Sequence, residues 1–265
     1  MKVVILCGGY GTRIRDVADN IPKPMIPIGG IPILWHIMKH YATLGHKEFI
    51  LCLGYKSNTI KDFFLNYKSS VADFTIALDG TRPIEYHSQF SEADWLVTCA
   101  ETGLETLTGG RIRRVKKYLE NEDDFMLTYG DGVGNIDITK LLEFHKSHGK
   151  LLTITGVMPP GRFGELLHNP DGKVIEFNEK PQSSGGIISG GFMVCKKGIF
   201  DYIENRDNVV FEKEPMARLV SDNQMMVYKH DGFWQPMDTY REYQLLNQLY
   251  DSGNAPWVTW NKENK

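Results

Sequence analysis

Five consecutive apolar residues, Val3-Val4-Ile5-Leu6-Cys7, run directly into the glycine-rich turn Gly8-Gly9-Tyr10-Gly11. A strand with no polar alternation has both faces buried, and such strands belong to layered folds whose sheets carry helices on each side. The rest of the chain repeats the pattern. Ile33 to Tyr41 reads as a helix closed by Gly45, and Glu48 to Leu53 as a second apolar strand stopped by Gly54. Ser57 is placed to cap a helix through about Leu65. Residues 73–79 and 84–88 alternate as strands do, and Leu96 to Ala100 forms another. Arg111 to Leu119 is amphipathic, with Ile112, Val115 and Leu119 on one face.

Phe125 to Tyr129 predicts a strand ending in Gly130-Asp131-Gly132, followed by a helix from Thr139 to His148 and a strand from Leu151 to Val157. This alternation predicts an α/β fold: a doubly wound, mainly parallel, Rossmann-like sheet flanked by helices. The second half is less regular. Gly164–His168 and Lys173–Asn178 read as an antiparallel pair turned at Asn169-Pro170-Asp171-Gly172. A strand over Ile187–Val194, helical stretches near 198–204 and 212–220, a short strand over Met225–Lys229 and a helix over Thr239–Tyr250 complete the chain. Neither a repeat nor a linker divides it. The expectation is one domain over residues 1–265, with an elaborated C-terminal half containing antiparallel strands. The nucleotide-binding half would cover about 1–135, and the sugar-phosphate-binding and oligomerisation half about 136–265.

A formal charge of −3, with no long basic block, provides no footprint for nucleic acid. No run approaches the ~20 apolar residues of a membrane span. The N-terminus enters a strand at once, so no signal peptide is expected. Cys7, Cys52, Cys99 and Cys195 form no CxxC pair and read as free thiols in a reducing compartment. Together these predict a soluble cytoplasmic protein without a nucleic-acid or membrane partner.

The long Gly- and Pro-rich stretch from Gly8 to Pro32 is the first candidate for function. Glycines at 8, 9 and 11 let the backbone approach a ligand and aim several N–H groups at one anion. Arg13 adds a guanidinium fork, and Lys23 an ammonium whose backbone is stiffened by Pro22 and Pro24. A Walker loop, GxxxxGK[ST], does not match. The dinucleotide fingerprint GxGxxG fails too, because Ile14 stands at its third glycine. What remains is an anion cradle suited to a triphosphate.

These residues resemble a known signature. GGYGTR followed by PKPM is similar to the GGxGTR…PKPM signature of the sugar-1-phosphate nucleotidyltransferases. Pro32-Ile33-Leu34-Trp35-His36, Thr128-Tyr129-Gly130-Asp131-Gly132, Pro160-Gly161-Arg162-Phe163-Gly164, Glu179-Lys180-Pro181, Gly190-Gly191-Phe192 and Gly232-Phe233-Trp234-Gln235-Pro236-Met237-Asp238-Thr239 resemble its glucose-1-phosphate cytidylyltransferase branch. The likeness runs in order along nearly the whole chain. Cys7, where alanine is common, and Ile14, where leucine is usual, depart from the pattern without removing a charged group.

The resemblance implies CTP and α-D-glucose 1-phosphate as substrates, CDP-glucose and pyrophosphate as products, Mg²⁺ as cofactor and a homo-oligomer. UTP, dTTP or another hexose 1-phosphate are the alternatives within the same chemistry. A nucleotide-binding regulatory protein without catalysis is the alternative outside it. The catalytic residues implied are Arg13, on the pyrophosphate side, and Lys23, near the α-phosphorus. Leu6, Cys7, Gly8, Gly9, Gly11, Thr12, Thr102, Arg111 and Gly130 would join them around the nucleotide. Glu179, Lys180 and Gly191 would hold the sugar phosphate. Asp131, directly after a buried strand, is the first metal-ligand candidate, and Asp238 the second by resemblance. Whether the two meet is not readable from sequence. Trp234 either lines the sugar pocket or fills core. His36 and His40 share a helical face but lack a metal-site pattern such as HExxH. Trp257 and Trp260 are candidates for an oligomer interface.

Overall fold

The computed structural model describes residues 1–11, 14, 21–159, 165–169, 171, 173–178 and 186–260. In chain order its main elements are β1 (Val3–Leu6), α1 (Ile33–Thr43), β2 (Glu48–Leu53), α2 (Ser57–Leu65), α3 (Tyr67–Val71), β3 (Leu96–Glu101), α4 (Thr108–Arg114) and β4 (Asp124–Tyr129). There follow α5 (Ile138–His148), β5 (Leu152–Val157), β6 (Ile188–Lys196), α6 (Glu214–Ser221), β7 (Met225–His230) and α7 (Tyr240–Asp251). The seven strands form one sheet in the order β7-β5-β6-β4-β1-β2-β3. β1 pairs in parallel with both β2 and β4, β2 with β3, and β5 with β7. β6 alone is reversed, lying antiparallel between β4 and β5. The mainly parallel, doubly wound sheet with antiparallel additions in the second half is therefore present.

The uninterrupted apolar strands have the burial they predict. Val3 and Ile5 point into one core with Phe49, Leu51 and Met126, covered by residues of α1, α5 and α7. Val4 points to the other face with Ile50, Cys52 and Leu127, covered by Ile112, Val115 and Leu119 and by Leu219 of α6. Alternate residues of each strand thus enter opposite cores. The amphipathic face of 111–119 is buried as expected, although the helix stops at Arg114 and continues as a short 3₁₀ turn over Lys116–Tyr118.

Several boundaries differ from expectation for physical reasons. Lys56 adopts the left-handed conformation (φ 49°, ψ 41°), so it is the residue at the start of α2; Ser57 is already helical and is not the cap. The alternation at 73–79 and 84–88 yields only the two-residue pair Phe74–Thr75 with Glu85–Tyr86. Thr239 caps α7 in a full capping box with Glu242. The antiparallel pair Glu165–His168 with Val174–Asn178 is formed. The four cysteines are free; Cys7, Cys52 and Cys195 are buried and Cys99 partly so.

One of the two C-terminal tryptophans, Trp257, corrects an expectation. Trp257 is 0% exposed, stacks on Phe233 and donates from Nε1 to His36 Nδ1 at 3.4 Å. Trp260 packs edge-on against Trp35. Both seal α1 from within the monomer, so Trp257 has no surface left for a partner.

His36 and His40 are structural. His36 Nε2 lies 3.0 Å from Ile28 O, and His40 Nε2 lies 2.8 Å from Ile136 O. Both rings are buried, and burial pushes each pKa down to about 4. Protonating His36 would turn its Nδ1 into a donor facing the Trp257 N–H. With the folded pKa below the unfolded value of about 6.5, the stabilisation is complete above that value and is lost as pH falls toward 4. Each histidine then contributes up to about 1.4 kcal/mol per pH unit across that window. Urea unfolding at pH 7 and pH 5 should show a loss of stability on acidification. The loss should shrink in His40→Asn; an identical loss in that variant contradicts the assignment.

Candidate active site

β1 is an interior strand of the sheet, with β2 on one side and β4 on the other. The chain leaves β1 and β4 in different directions, and ligands of such sheets bind where the strand order reverses, beyond the carboxyl ends. A cleft of about 360 Å³ opens there. Its floor is the turn after β1 and its wall the turn after β4.

The lysine is held from its backbone outward. Pro22 is extended (φ −70°, ψ 148°), and Lys23, Pro24 and Met25 form a single 3₁₀ turn closed by Met25 N to Pro22 O at 2.8 Å. Pro24, Met25 and Ile26 are buried, which anchors the turn. Gly11 has φ +62°, and a Cβ there would lie 3.2 Å from the Lys23 Cβ, so the glycine turn and the lysine turn touch. The Lys23 side chain is only 12% exposed.

Its Nζ reaches two carboxylates, Asp131 Oδ2 at 2.6 Å and Asp238 Oδ1 at 2.5 Å. A small antiparallel ribbon brings these two aspartates together. Gly132–Gly134 pairs with Trp234–Pro236, in the register Pro236 opposite Gly132. Met237 N then donates to Asp131 O at 2.8 Å, which places Asp238 beside Asp131. Asp238 is fixed in turn by its own N–H, which donates to Glu242 Oε2 at 2.7 Å. Burial works against the charge on Lys23, but Asp131 and Asp238 outweigh it and raise the ammonium pKa above its ordinary value. The lysine is therefore a fixed positive charge at neutral pH.

Arg111 holds the glycine turn. It comes from α4 and is buried. Its Nη1 donates to Leu53 O (2.9 Å), Thr102 Oγ1 (2.8 Å) and Gly103 O (2.8 Å), and its Nη2 to Gly8 O (3.0 Å) and Leu104 O (3.2 Å). A Cβ on Gly8 would lie 2.1 Å from Arg111 Nη1, so only glycine admits the guanidinium here. The thiols are poor nucleophiles: burial pushes Cys52 up to about 12 and Cys7 well above its ordinary value.

Of the residues predicted from sequence, Leu6, Cys7, Gly8, Gly9, Gly11, Lys23, Arg111, Gly130, Asp131 and Asp238 line the cleft. Thr102 is buried behind it, with its hydroxyl donating to Leu53 O at 2.6 Å. Gly191 stands behind Tyr129, with a hypothetical Cβ 2.5 Å from that ring. Thr12, Arg13, Glu179 and Lys180 lie outside the described residues, as do Pro160 to Gly164. Trp234 is half-buried and donates from Nε1 to Gly190 O at 2.8 Å. Tyr10, Tyr129 and the loop Leu104–Thr108 also line the cleft; the resemblance places the region between Thr102 and Arg111 beside the nucleotide, but Tyr10, Tyr129 and the residues Leu104 to Leu107 are not singled out from sequence. Tyr129 hydrogen-bonds Glu212, and Tyr10 hydrogen-bonds Glu105. Tyr129 was within reach, being the residue before Gly130-Asp131; the individual loop residues were not, since the loop follows the edge strand β3.

The chain is similar to known proteins along nearly its whole length. The sequence model of the family described as Nucleotidyl transferase matches residues 2–251. Glucose-1-phosphate cytidylyltransferase of Salmonella typhi is 45% identical over 260 residues, covering 98% of this chain and 100% of that protein. Probable glucose-1-phosphate cytidylyltransferase of Bacillus subtilis (strain 168) is 44% identical with the same coverage. The crystal structure of HddC from Yersinia pseudotuberculosis complexed with GMP-PN superposes with a TM-score of 0.65 at 25% identity, over 94% of this chain and 99% of that one.

The Arg111 contact separates two neighbouring glycines. Gly9 has nothing within 4 Å of a hypothetical Cβ. Gly8→Ala should therefore lose about 1–3 kcal/mol of stability by overpacking, and Gly9→Ala under about 1 kcal/mol. Urea denaturation of both variants checks this, and equal losses would contradict the close approach.

Proposed function

The chain belongs to the nucleotidyl transferase family, and within it we propose a glucose-1-phosphate cytidylyltransferase that joins CTP to α-D-glucose 1-phosphate, giving CDP-glucose and pyrophosphate. The observation that carries the chemistry is the convergence of Lys23 with Asp131 and Asp238 beyond the ends of β1 and β4. The cytosine base and the glucose rest on full-length identity of 44–45% to the curated relatives.

The reaction needs no general base. A phosphate oxygen of the sugar 1-phosphate, already ionised at neutral pH, attacks the α-phosphorus in line as pyrophosphate departs. The protein has to position the two substrates and neutralise charge. No histidine and no thiolate is required of the cleft, and its described lining holds neither. The backbone N–H groups of the turn after Leu6 face the triphosphate, with Arg111 fixing the carbonyl of Gly8 behind them. Lys23 serves the α-phosphate, and Arg13 the departing pyrophosphate. Glu179, Lys180 and Gly191 serve the sugar phosphate.

Asp131 and Asp238 fit a magnesium ion. Both offer hard carboxylate oxygens, and the two already converge on one cationic group. Among the described residues no cluster of three His, Cys, Asp or Glu side chains forms a metal cage. Magnesium characteristically takes one or two carboxylates and completes its shell with phosphate oxygens and water. When bound, it supplies neutralisation of the phosphate charge.

Among the described residues no helix is long and apolar enough to cross a membrane, and we place the enzyme in the cytoplasm. We also read it as a single domain and a homo-oligomer. Leu65 and Leu78, 81% and 94% exposed, are better candidates for an interface than the buried Trp257.

A pyrophosphate-release assay over four nucleoside triphosphates and several sugar 1-phosphates tests the assignment. CTP with glucose 1-phosphate should give the highest kcat/KM, and Asp131→Asn should lower it by about 10²–10³. A clear preference for UTP or dTTP moves the protein to another branch. Turnover in Asp131→Asn equal to that of the wild type removes the carboxylate pair from the mechanism.

A further inference from the structure

The position of the Lys23 ammonium carries a consequence beyond its place near the phosphates. One nitrogen lies within 2.6 Å of a carboxylate oxygen on each of Asp131 and Asp238. The pair carries two negative charges and the lysine one positive. A divalent cation bridging the same two carboxylates would stand ~2.1 Å from their oxygens. It would therefore compete with the ammonium for nearly the same space and the same lone pairs. Two cations a few Å apart in a half-buried cleft repel strongly.

The lysine is built to yield this position without moving its backbone. Pro22, Pro24 and the buried Met25 fix the main chain, and Gly11 closes on the Cβ. Beyond Cβ the stem has its remaining torsions to swing the ammonium from the carboxylates toward the cleft. The two aspartates are anchored at their main chains as well, and their short side chains reach less far than the lysine stem. Asp131 is tied through its carbonyl to Met237 N, and Asp238 through its N–H to Glu242.

We propose that Lys23 is the resident counter-ion of the Asp131–Asp238 pair and is displaced from it by the divalent cation, so that the pair binds metal poorly until a triphosphate offers the ammonium another anion. Metal and nucleotide then enter as one unit, and the same charge that blocks the carboxylates becomes available to the α-phosphate. This rests on the reading of Asp131 and Asp238 as the metal pair.

Mn²⁺ binding without nucleotide or sugar, followed by the electron paramagnetic resonance signal of free Mn²⁺ at pH 8, tests the exchange apart from turnover. Lys23→Met should bind Mn²⁺ at least about tenfold more tightly than the wild type, and adding Asp131→Asn should abolish the gain. Equal or weaker binding by Lys23→Met, with Asp131→Asn still removing it, overturns the exchange and leaves the metal pair standing. Binding indifferent to Asp131→Asn removes the metal pair itself. If Lys23→Met does not fold, Lys23→Arg decides: its guanidinium fork holds both carboxylates more firmly, so Mn²⁺ affinity should fall below that of the wild type, and an equal or higher affinity overturns the proposal.

Discussion

A single ammonium joins three distant parts of this chain. Lys23 is separated by 108 residues from Asp131 and by 215 from Asp238, yet its Nζ contacts both. Without that charge, two carboxylates would face each other in a half-buried cleft, and the turn after β4 would keep only its backbone tie from Gly130 N to Leu6 O and its packing against Cys7 and Pro24. A cation between two carboxylates relieves their repulsion. The rest of the site is arranged around this contact: prolines fix the lysine, a ribbon brings the aspartates into register, and a capping box holds the second of them at the start of α7.

The sheet explains why the contact can exist. β1 and β4 are adjacent and parallel, so their carboxyl ends open at the same level. The first contributes glycines and the second Gly130-Asp131. β6, running backwards between β4 and β5, carries Gly191 behind Tyr129, on the side away from the glycine turn. The two cores clamp the sheet from both faces, and α7 returns the C-terminal segment to the core beneath the N-terminal half. The two halves of the sequence are thus interleaved in space, and the site needs both.

Much of this was legible in the sequence, because local chemistry determined it. The uninterrupted apolar run at Val3–Cys7 required burial on both faces and received it. Gly149 in the left-handed conformation after α5 stops a helix where the sequence places the stop. The glycines, the Pro-Lys-Pro turn and Asp131 were each visible in one stretch. What escaped depended on contacts between stretches. The meeting of Asp131 with Asp238 depends on the register of a three-residue ribbon. Arg111 carried its positive charge in the sequence, but its spread over four carbonyls and one hydroxyl depends on three separate loops. Trp257 passes for an interface aromatic because nothing near it in sequence announces its burial against His36 and Phe233. Ser57 read as a cap because the left-handed Lys56 before it leaves no local signal.

The exchange of cations at this centre is read directly by a crystal structure with Mn²⁺ and a non-hydrolysable CTP analogue. The expected result is an anomalous manganese peak shared by the Asp131 and Asp238 carboxylates, with the Lys23 Nζ withdrawn from both and bonded to phosphate. A manganese peak remote from the two aspartates, or an ammonium still lodged between them beside the bound nucleotide, would contradict it.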